Sequence, residues 1–373
     1  MKIGFVTENY YPTVGGIQEH VQSLAAWHLS HGHDYRIITG MPTVSQWRGP
    51  RDDERVLRVG KARRYGVMGT FTQATLGPGI ALRLAGILRR EKFDVLHLHN
   101  PADFGIQLLA HCMFSGPIVG TWHTTFKQTT SRKILAPYYR WVLKKMDALI
   151  GVSDLAVDTM RRFADLPYKV IPNGVDVAAF TAGKPLPQFK DGARNIVYLG
   201  RLEPRNGPDL LLEAMPAIVA AIPNARLIIA GSGPNGTADY ERLVPPSVKD
   251  KVVFVGSVWE ERANLLASGD VFVVPARRGG TFSILVLEGL AAGLPVVSTP
   301  FVDVHHRGSH WAPVIFTRDF TPSAIAERII EGLSEDQTAR IAHGKEVVAE
   351  YDWARVSPRV HEAYQEAIDG HRS

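Results

Sequence analysis

The chain has 373 residues, 45% hydrophobic and 21% charged, with a formal net charge of +5; it is too apolar for a disordered chain and long enough for two domains. Its single cysteine, Cys112, excludes an intrachain disulfide framework and any cysteine-cluster zinc site, which fits a reducing compartment. No apolar run reaches the ~20 residues that cross a bilayer, and residues 1–6 lack the layout of a signal peptide, so a cytoplasmic location is expected.

Residues 2–7 read as a short buried strand, followed by a turn at Gly15-Gly16 and an apolar pattern of helical spacing over 17–31. Residues 35–39 are a second strand, which completes a βαβ unit and predicts a parallel sheet. Strands at 95–98, 118–121 and 148–152 continue the plan, with helical stretches such as 80–90 between them. The pattern then restarts. Strands are read at 195–200, 226–230, 252–255, 271–275 and 295–298, with helices at 207–222, 260–267 and 282–292. Two successive alternating sets predict two doubly wound α/β domains, joined near the turn-rich stretch 172–176. Ligands of such sheets bind beyond the carboxyl ends of the strands, and two facing domains would frame a cleft there.

Charge divides along the chain. Residues 1–170 hold 22 Lys/Arg against 13 Asp/Glu, and the remainder 20 against 24. A basic half either meets something anionic or carries ordinary solvated charge. Nucleic acid is not expected as a partner: no recognition motif is present, and aromatic residues do not interleave with the basic ones.

Several residues can carry chemistry. Gly15-Gly16 opens a helix, where bare backbone and a helix N-terminus favour an anion; the same pair also serves as a plain turn. It is not Gly-x-Gly-x-x-Gly, which disfavours a nicotinamide-dinucleotide site. His97 and His99 alternate onto one strand face, and without a nearby carboxylate they read as packing or hydrogen-bonding groups rather than metal ligands. His123 follows another strand, at an edge where it would bond a polar ligand. Arg201 follows the first strand of the second half, where a guanidinium grips a diphosphate or simply faces solvent. Glu288 sits on a helix, as a ribose-holding or a solvated carboxylate.

The ordered set of motifs resembles the family-four retaining glycosyltransferases, of GT-B architecture with two Rossmann-like domains. Its carriers are residues 9–12, 15–21, 94–101, 120–124, 152–153 and 171–176 in the first half. In the second half they are 200–202, 230–234 and 288–297. The opening, His123 and Ser153 are similar to the phosphatidylinositol mannosyltransferases. The resemblance implies an acceptor-side domain over 1–171, joined by a C-terminal helix at 352–370, and a nucleotide-sugar domain over 172–351. It implies that Arg201 contacts the diphosphate of a nucleoside diphosphate sugar (GDP- or UDP-linked), with Arg205, or Arg277 and Arg278, substituting for the family's second cation. Gly231 to Pro234 would pass near the base, Glu288 would hold the ribose, and Phe282, Ser283 and Ile284 would offer backbone amides. Gly16 would approach the diphosphate or sugar, and His123 would bond the transferred hexose. The acceptor, a glycan or a lipid, would enter near Tyr10, Gln18, Arg63 and Arg64. No cofactor and no metal is implied, so preorganised cations and helix ends balance the leaving-group charge.

The chain departs from the family's pattern at Asn206, where Lys is usual, and at Gly280, where Glu is usual. Ser283 replaces a glycine, and residues 302–306 stand where a Gly-Gly loop is common. These changes leave open a transferase with a soluble acceptor, or a catalytically silent nucleotide- or glycan-binding relative. Finally, Leu82, Ile87 and Leu88 share a helix with Arg83, Arg89 and Arg90, behind Lys61, Arg63 and Arg64. That segment reads as a surface for an anionic membrane, placing the protein peripherally on the inner membrane face, or as an ordinary sheet-covering helix.

Overall fold

Parallel pairing organises both halves of the protein, seen here in a computed structural model. It describes residues 1–12, 15–42, 52–67, 70–125, 134–233, 235–277, 283–300 and 311–372, with backbone alone for 64–67 and 70–73. The chain forms two units, Met1–Gly174 with Trp353–Ser373, and Val175–Asp352. Both crossings fall at or beside stretches the sequence marks, 172–176 and the start of the last helix.

Unit 1 is built on an eight-stranded sheet of order β4-β3-β2-β1-β5-β6-β7-β8. Its strands are β1 (Lys2–Val6), β2 (Asp34–Met41), β3 (Val56–Val67), β4 (Thr70–Thr75), β5 (Val95–His99), β6 (Ile118–Trp122), β7 (Ala148–Gly151) and β8 (Lys169–Val170). All pairs are parallel except β3 with β4. That hairpin is absent from the sequence reading, because β3 carries Arg58, Lys61 and Arg63 and two glycines instead of an apolar run. Met41, the end of β2, pairs with Lys61, and Ala62 pairs with Thr75, so the hairpin 62–75 extends past the carboxyl edge of the sheet.

One face of this sheet is covered by α1 (Gly16–Ser30) and by the last helix, Trp353–Arg372, which pack on each other. The helices α2 (Ile80–Glu91), α3 (Ile106–Met113) and α4 (Ala136–Lys144) cover the opposite face, as crossovers of one hand require when strand order reverses. Leu84 and Ile87 of α2 are buried and Leu82 is 80% exposed, so this helix covers the sheet and still shows one leucine to solvent. After β7, Ser153 caps α5 (Asp154–Arg161) by accepting from the Ala156 amide.

Unit 2 holds a six-stranded parallel sheet of order β11-β10-β9-β12-β13-β14. These are β9 (Arg194–Leu199), β10 (Ala225–Ala230), β11 (Val252–Gly256), β12 (Val271–Val274), β13 (Val296–Ser298) and β14 (Val314–Phe316). Ile196 and Tyr198 enter one apolar cluster, and Val197 and Leu199 enter another on the opposite face. Burial on both faces explains why these strands read as continuous apolar runs.

The last helix is tied to unit 1 by polar as well as apolar contact. His97 Nδ1 meets the Tyr364 hydroxyl at 2.6 Å and its Nε2 meets Thr121 Oγ1 at 2.6 Å, all in the interior. Removing the hydroxyl strands a buried ring nitrogen, at a cost of ~1–3 kcal/mol. We therefore expect Tyr364→Phe to lower the unfolding free energy by that amount, read as a lower urea midpoint at an unchanged denaturant slope; a midpoint equal to wild type would show that this bond adds nothing.

Candidate active site

The carboxyl edge of unit 1 gathers the residues that follow β1, β5 and β6. His99 pairs in register with Thr121, and Trp122 with Gly151, which brings His99 and His123 to the same edge. Asn100, at a positive φ of 53°, accepts the His123 amide on Oδ1 at 2.9 Å and donates its own amide to Thr121 at 2.8 Å. His123 is thereby fixed by backbone as well as by its ring.

Around it stands a group of buried imidazoles. His20, from the first turns of α1, meets Asn173 Oδ1 through Nδ1 at 3.0 Å. His99 Nδ1 lies 3.0 Å from His123 Nε2. The His20 ring meets the rings of His123 and His99 edge-on, at centroid distances of 4.8 and 5.4 Å. One nitrogen of each of His20, His99 and His123 lies within 4.8 Å of the others, but the His99–His123 bond occupies a nitrogen on each of those two rings. Burial, reinforced by repulsion from neighbouring rings, holds His99 and His123 well below the ordinary imidazole range. Burial lowers His20 to about 4, opposed by its bond to Asn173. The cluster is neutral at physiological pH.

Gly15 caps α1 and Gly16 is its exposed first residue. Gly15 makes no side-chain cap bond to this helix. A Cβ on Gly15 would lie 2.8 Å from Gln18 Oε1; the buried Gln18 is laid against the glycine turn. Tyr10 is buried and its hydroxyl donates to Gln22 Oε1, while burial raises its pKa. Arg63 is exposed on the protruding hairpin. Arg64 pairs with Gln73 in the same hairpin, its side chain outside the described residues.

The sequence reading missed Glu8. It is 2% exposed, accepts from Thr75 Oγ1 at 2.6 Å and from the Ile106 amide at 2.8 Å. One carboxylate thus anchors the base of the 62–75 hairpin and the start of α3. Burial raises its pKa against those bonds, and burial together with the Glu8 charge pushes Asp103 up to about 7. An acidic residue two positions after a buried strand was the available signal.

In unit 2 the loops after β9 and β10 lie against each other. A Cβ on Gly231, at φ 156°, would fall 1.8 Å from the Gly200 carbonyl oxygen, and one on Gly233 would fall 2.8 Å from that of Leu202. These glycines permit the backbone contact itself, which Leu202 N→Ser232 O at 3.2 Å completes. Pro234 lies outside the described residues. Arg201 is 47% exposed and Arg205 44% exposed, and both pair with Glu203, at 3.2 and 2.7 Å. Asn206 donates from Nδ2 to the Arg201 carbonyl at 2.8 Å. Arg277 is held by both oxygens of Asp209 at 2.6 and 2.7 Å and donates to the Pro204 carbonyl, so it braces the loop.

Glu288 is 1% exposed, and Oε1 accepts from Arg262 Nη1 at 2.9 Å. Arg262 in turn lies over the Trp259 ring, 4.3 Å from its centroid. Ser283 caps the helix Ile284–Ala291 by accepting from the Val286 amide, and Ile284 is buried. Arg278, Gly280, Phe282 and residues 302–306 lie outside the described residues.

Comparison with known proteins decides the family. Residues 14–179 match Glycosyltransferase Family 4, and residues 193–335 match Glycosyl transferases group 1. A phosphatidyl-myo-inositol mannosyltransferase of Mycobacterium tuberculosis is 30% identical over 98% of this chain and 97% of its own. The chain belongs to glycosyltransferase family 4. A GDP-mannose-dependent monoacylated alpha-(1-6)-phosphatidylinositol monomannoside mannosyltransferase of Corynebacterium glutamicum is 27% identical, over 79% of this chain and 78% of its own. Among solved structures, sucrose-phosphate synthase from Thermosynechococcus elongatus superposes with a TM-score of 0.74 over 99% of both chains at 17% identity. The shared fold is GT-B, with two doubly wound α/β domains.

For this family-4 glycosyltransferase, the buried imidazoles make stability pH-dependent. An unfolded histidine takes a proton near pH 6.5, and the native cluster refuses it. Stability is therefore full above pH 6.5 and is lost as pH falls towards the native values; His20 alone, lowered to about 4, contributes a loss of roughly 3 kcal/mol by that pH. Urea melts between pH 7.5 and 4.5 should show a steady decline that His20→Gln reduces. A flat profile would mean that the cluster admits protons while folded.

Proposed function

We propose that this family-4 glycosyltransferase is a retaining, metal-independent mannosyltransferase. It transfers mannose from GDP-mannose to an inositol hydroxyl of a phosphatidylinositol-type lipid at the inner membrane face. What carries the reading is the end-to-end similarity to the mycobacterial phosphatidyl-myo-inositol mannosyltransferase, and the named GDP-mannose dependence of the corynebacterial relative favours the same donor.

Unit 2 takes the nucleotide. Arg201 and Arg205 share one carboxylate, Glu203, which leaves a net positive loop for a diphosphate. Glu288, fixed by Arg262, accepts the ribose hydroxyls, and the amides beginning at Ser283 and Ile284 face the donor. Gly231 and Gly233 keep the base-side loop close to backbone. In unit 1 the reading assigns Gly16 to the diphosphate, His123 to the sugar, and Tyr10, Gln18, Arg63 and Arg64 to the acceptor. The bond between the anomeric carbon and the diphosphate oxygen breaks, the electron pair leaves with the diphosphate, and the acceptor oxygen bonds to the same face of the sugar. Guanidinium and helix-end charge stabilise the leaving group, consistent with nitrogens of His99 and His123 being used on each other and with no cofactor being needed. Basic α2, with Arg83, Arg89 and Arg90 exposed, attaches the enzyme peripherally to anionic lipid.

The direct test is transfer of labelled mannose from GDP-mannose into phosphatidylinositol vesicles. Arg201→Ala should lower kcat ~10²–10³-fold, the scale of one lost stabiliser of transition-state charge. Asn206→Lys, which adds a cation beside the same loop, should raise it. Absence of turnover with GDP-mannose or UDP-sugars, together with no thermal stabilisation by GDP or UDP, would overturn the enzyme reading. Transfer to free inositol phosphate but not to the lipid would overturn the acceptor.

A further inference from the structure

The outer surface of unit 1's second helical layer is unlike the rest of the described surface. α2 packs on α3, and α3 meets α4 through His111, whose ring lies edge-on to Trp141 at 4.7 Å and whose carbonyl accepts from Lys145 Nζ. Phe104, just before α3, stacks on Tyr138 of α4 at 5.0 Å. The three helices therefore form one continuous layer. Half of the ten exposed large hydrophobic side chains among the described residues lie on it: Leu82, Phe104, Met113, Ile134 and Trp141.

The exposed charges on its three helices are basic. α2, α3 and α4 carry Arg83, Arg89, Arg90, Arg140 and Lys144, all exposed, and Lys145 follows directly. The one carboxylate in these helices is Glu91, whose side chain is 9% exposed and paired with Lys2, Arg36 and Arg90. Cations and apolar rings without competing acids are complementary to the interfacial zone of an anionic bilayer, where lysine and arginine meet phosphate and tryptophan settles at headgroup level. An apolar patch of this kind on a soluble face marks an interaction site.

Position supplies the last observation. α2, α3 and α4 each begin at the carboxyl edge of the sheet. Leu82 in the first turn of α2, Phe104 before α3 and Ile134 before α4 thus mark the end of the layer nearest Gly16, His99 and His123. A lipid acceptor whose acyl chains stay in the membrane needs its headgroup delivered to that edge.

We propose that α2, α3 and α4 dock together on an anionic membrane and that Phe104, Ile134 and Trp141 enter its interface, beyond the contact made by the basic residues of α2. The proposal rests on the lipid-acceptor reading. Vesicles of phosphatidylglycerol with phosphatidylcholine, carrying brominated acyl chains, provide the test. With the full chain, bromine should quench tryptophan fluorescence on binding, and Trp141→Phe should remove most of that quenching while sedimentation with the vesicles persists. Phe104→Ser, Ile134→Ser and Trp141→Ser combined should weaken partitioning ~10-fold or more with an unchanged far-UV spectrum and melting midpoint. Sedimentation that Arg83→Glu, Arg89→Glu and Arg90→Glu abolish, with quenching indifferent to Trp141→Phe, would retain α2 as the anchor and overturn the larger face. A concentration-dependent dimer that the serine triple variant dissolves would overturn it in favour of self-association. No sedimentation with anionic vesicles would overturn both the face and the membrane reading, while mannosyl transfer to a detergent-dispersed lipid would still report separately on the enzyme.

Discussion

Parallel pairing in a sheet buried on both faces is the constraint from which the candidate site follows. Each strand must find its hydrogen-bond partners with its carboxyl end beside its neighbour's, because an unpaired amide or carbonyl in the interior is costly. In unit 1 that requirement sets Val6 beside Leu98, His99 beside Thr121 and Trp122 beside Gly151. Thr7, Asn100 and His123 follow directly beyond these pairs and carry polar side chains to the carboxyl edge. The same rule in unit 2 brings the loops after β9 and β10 together, where glycines at 200, 231 and 233 let the two backbones touch.

The two units solve the electrostatic problem differently. In unit 1 the clustered histidines are buried: burial holds their pKa values below the ordinary range, and ring nitrogens bond to one another, to Asn173, to Thr121 and to Tyr364. In unit 2 the charges are paired, Arg201 and Arg205 on Glu203 and Arg277 on Asp209 at the surface, and Arg262 on the buried Glu288. A half-exposed ion pair such as Arg201 and Arg205 on Glu203 is worth little, so under the proposed function a diphosphate arriving at the 201–205 loop would compete against a weak partner. Arg277, gripped by both Asp209 oxygens and donating to the Pro204 carbonyl, fixes the loop's shape.

What the sequence made legible follows the same physics. Apolar runs such as 196–199 and 271–274 announce buried parallel strands, and glycine after a strand announces a loop at the carboxyl edge. The β3–β4 hairpin was invisible because its outer positions are basic and its strands are held by the sheet edge and by the Glu8–Thr75 bond, a contact between residues far apart in the chain. The histidines were readable singly but not as a group: His97 and His99 share a strand face, yet the approach of His20 from α1 and His123 from the next strand depends on packing that no local pattern encodes. Roles could be assigned to Gly231 and Gly233 from motif order, but the reason for glycine there, contact with Gly200 and Leu202, required coordinates.

Asn206 shows how one departure can be absorbed. Its side-chain amide donates to the Arg201 carbonyl, and its backbone amide donates to the Glu203 carbonyl at 2.9 Å. A neutral donor therefore closes the loop on itself at the position where the family usually places a lysine. That closure holds Arg201, Glu203 and Arg205 within a single short turn, so under the proposed function two guanidiniums, and not a guanidinium and an ammonium, would face the diphosphate. Guanidinium groups present several donors in a plane and are less strongly hydrated than an ammonium. A loop built this way lacks the lysine but keeps a second forked donor within the same few residues, so under the proposed function the fold of the loop, not the count of cations alone, would set how well the leaving group is held.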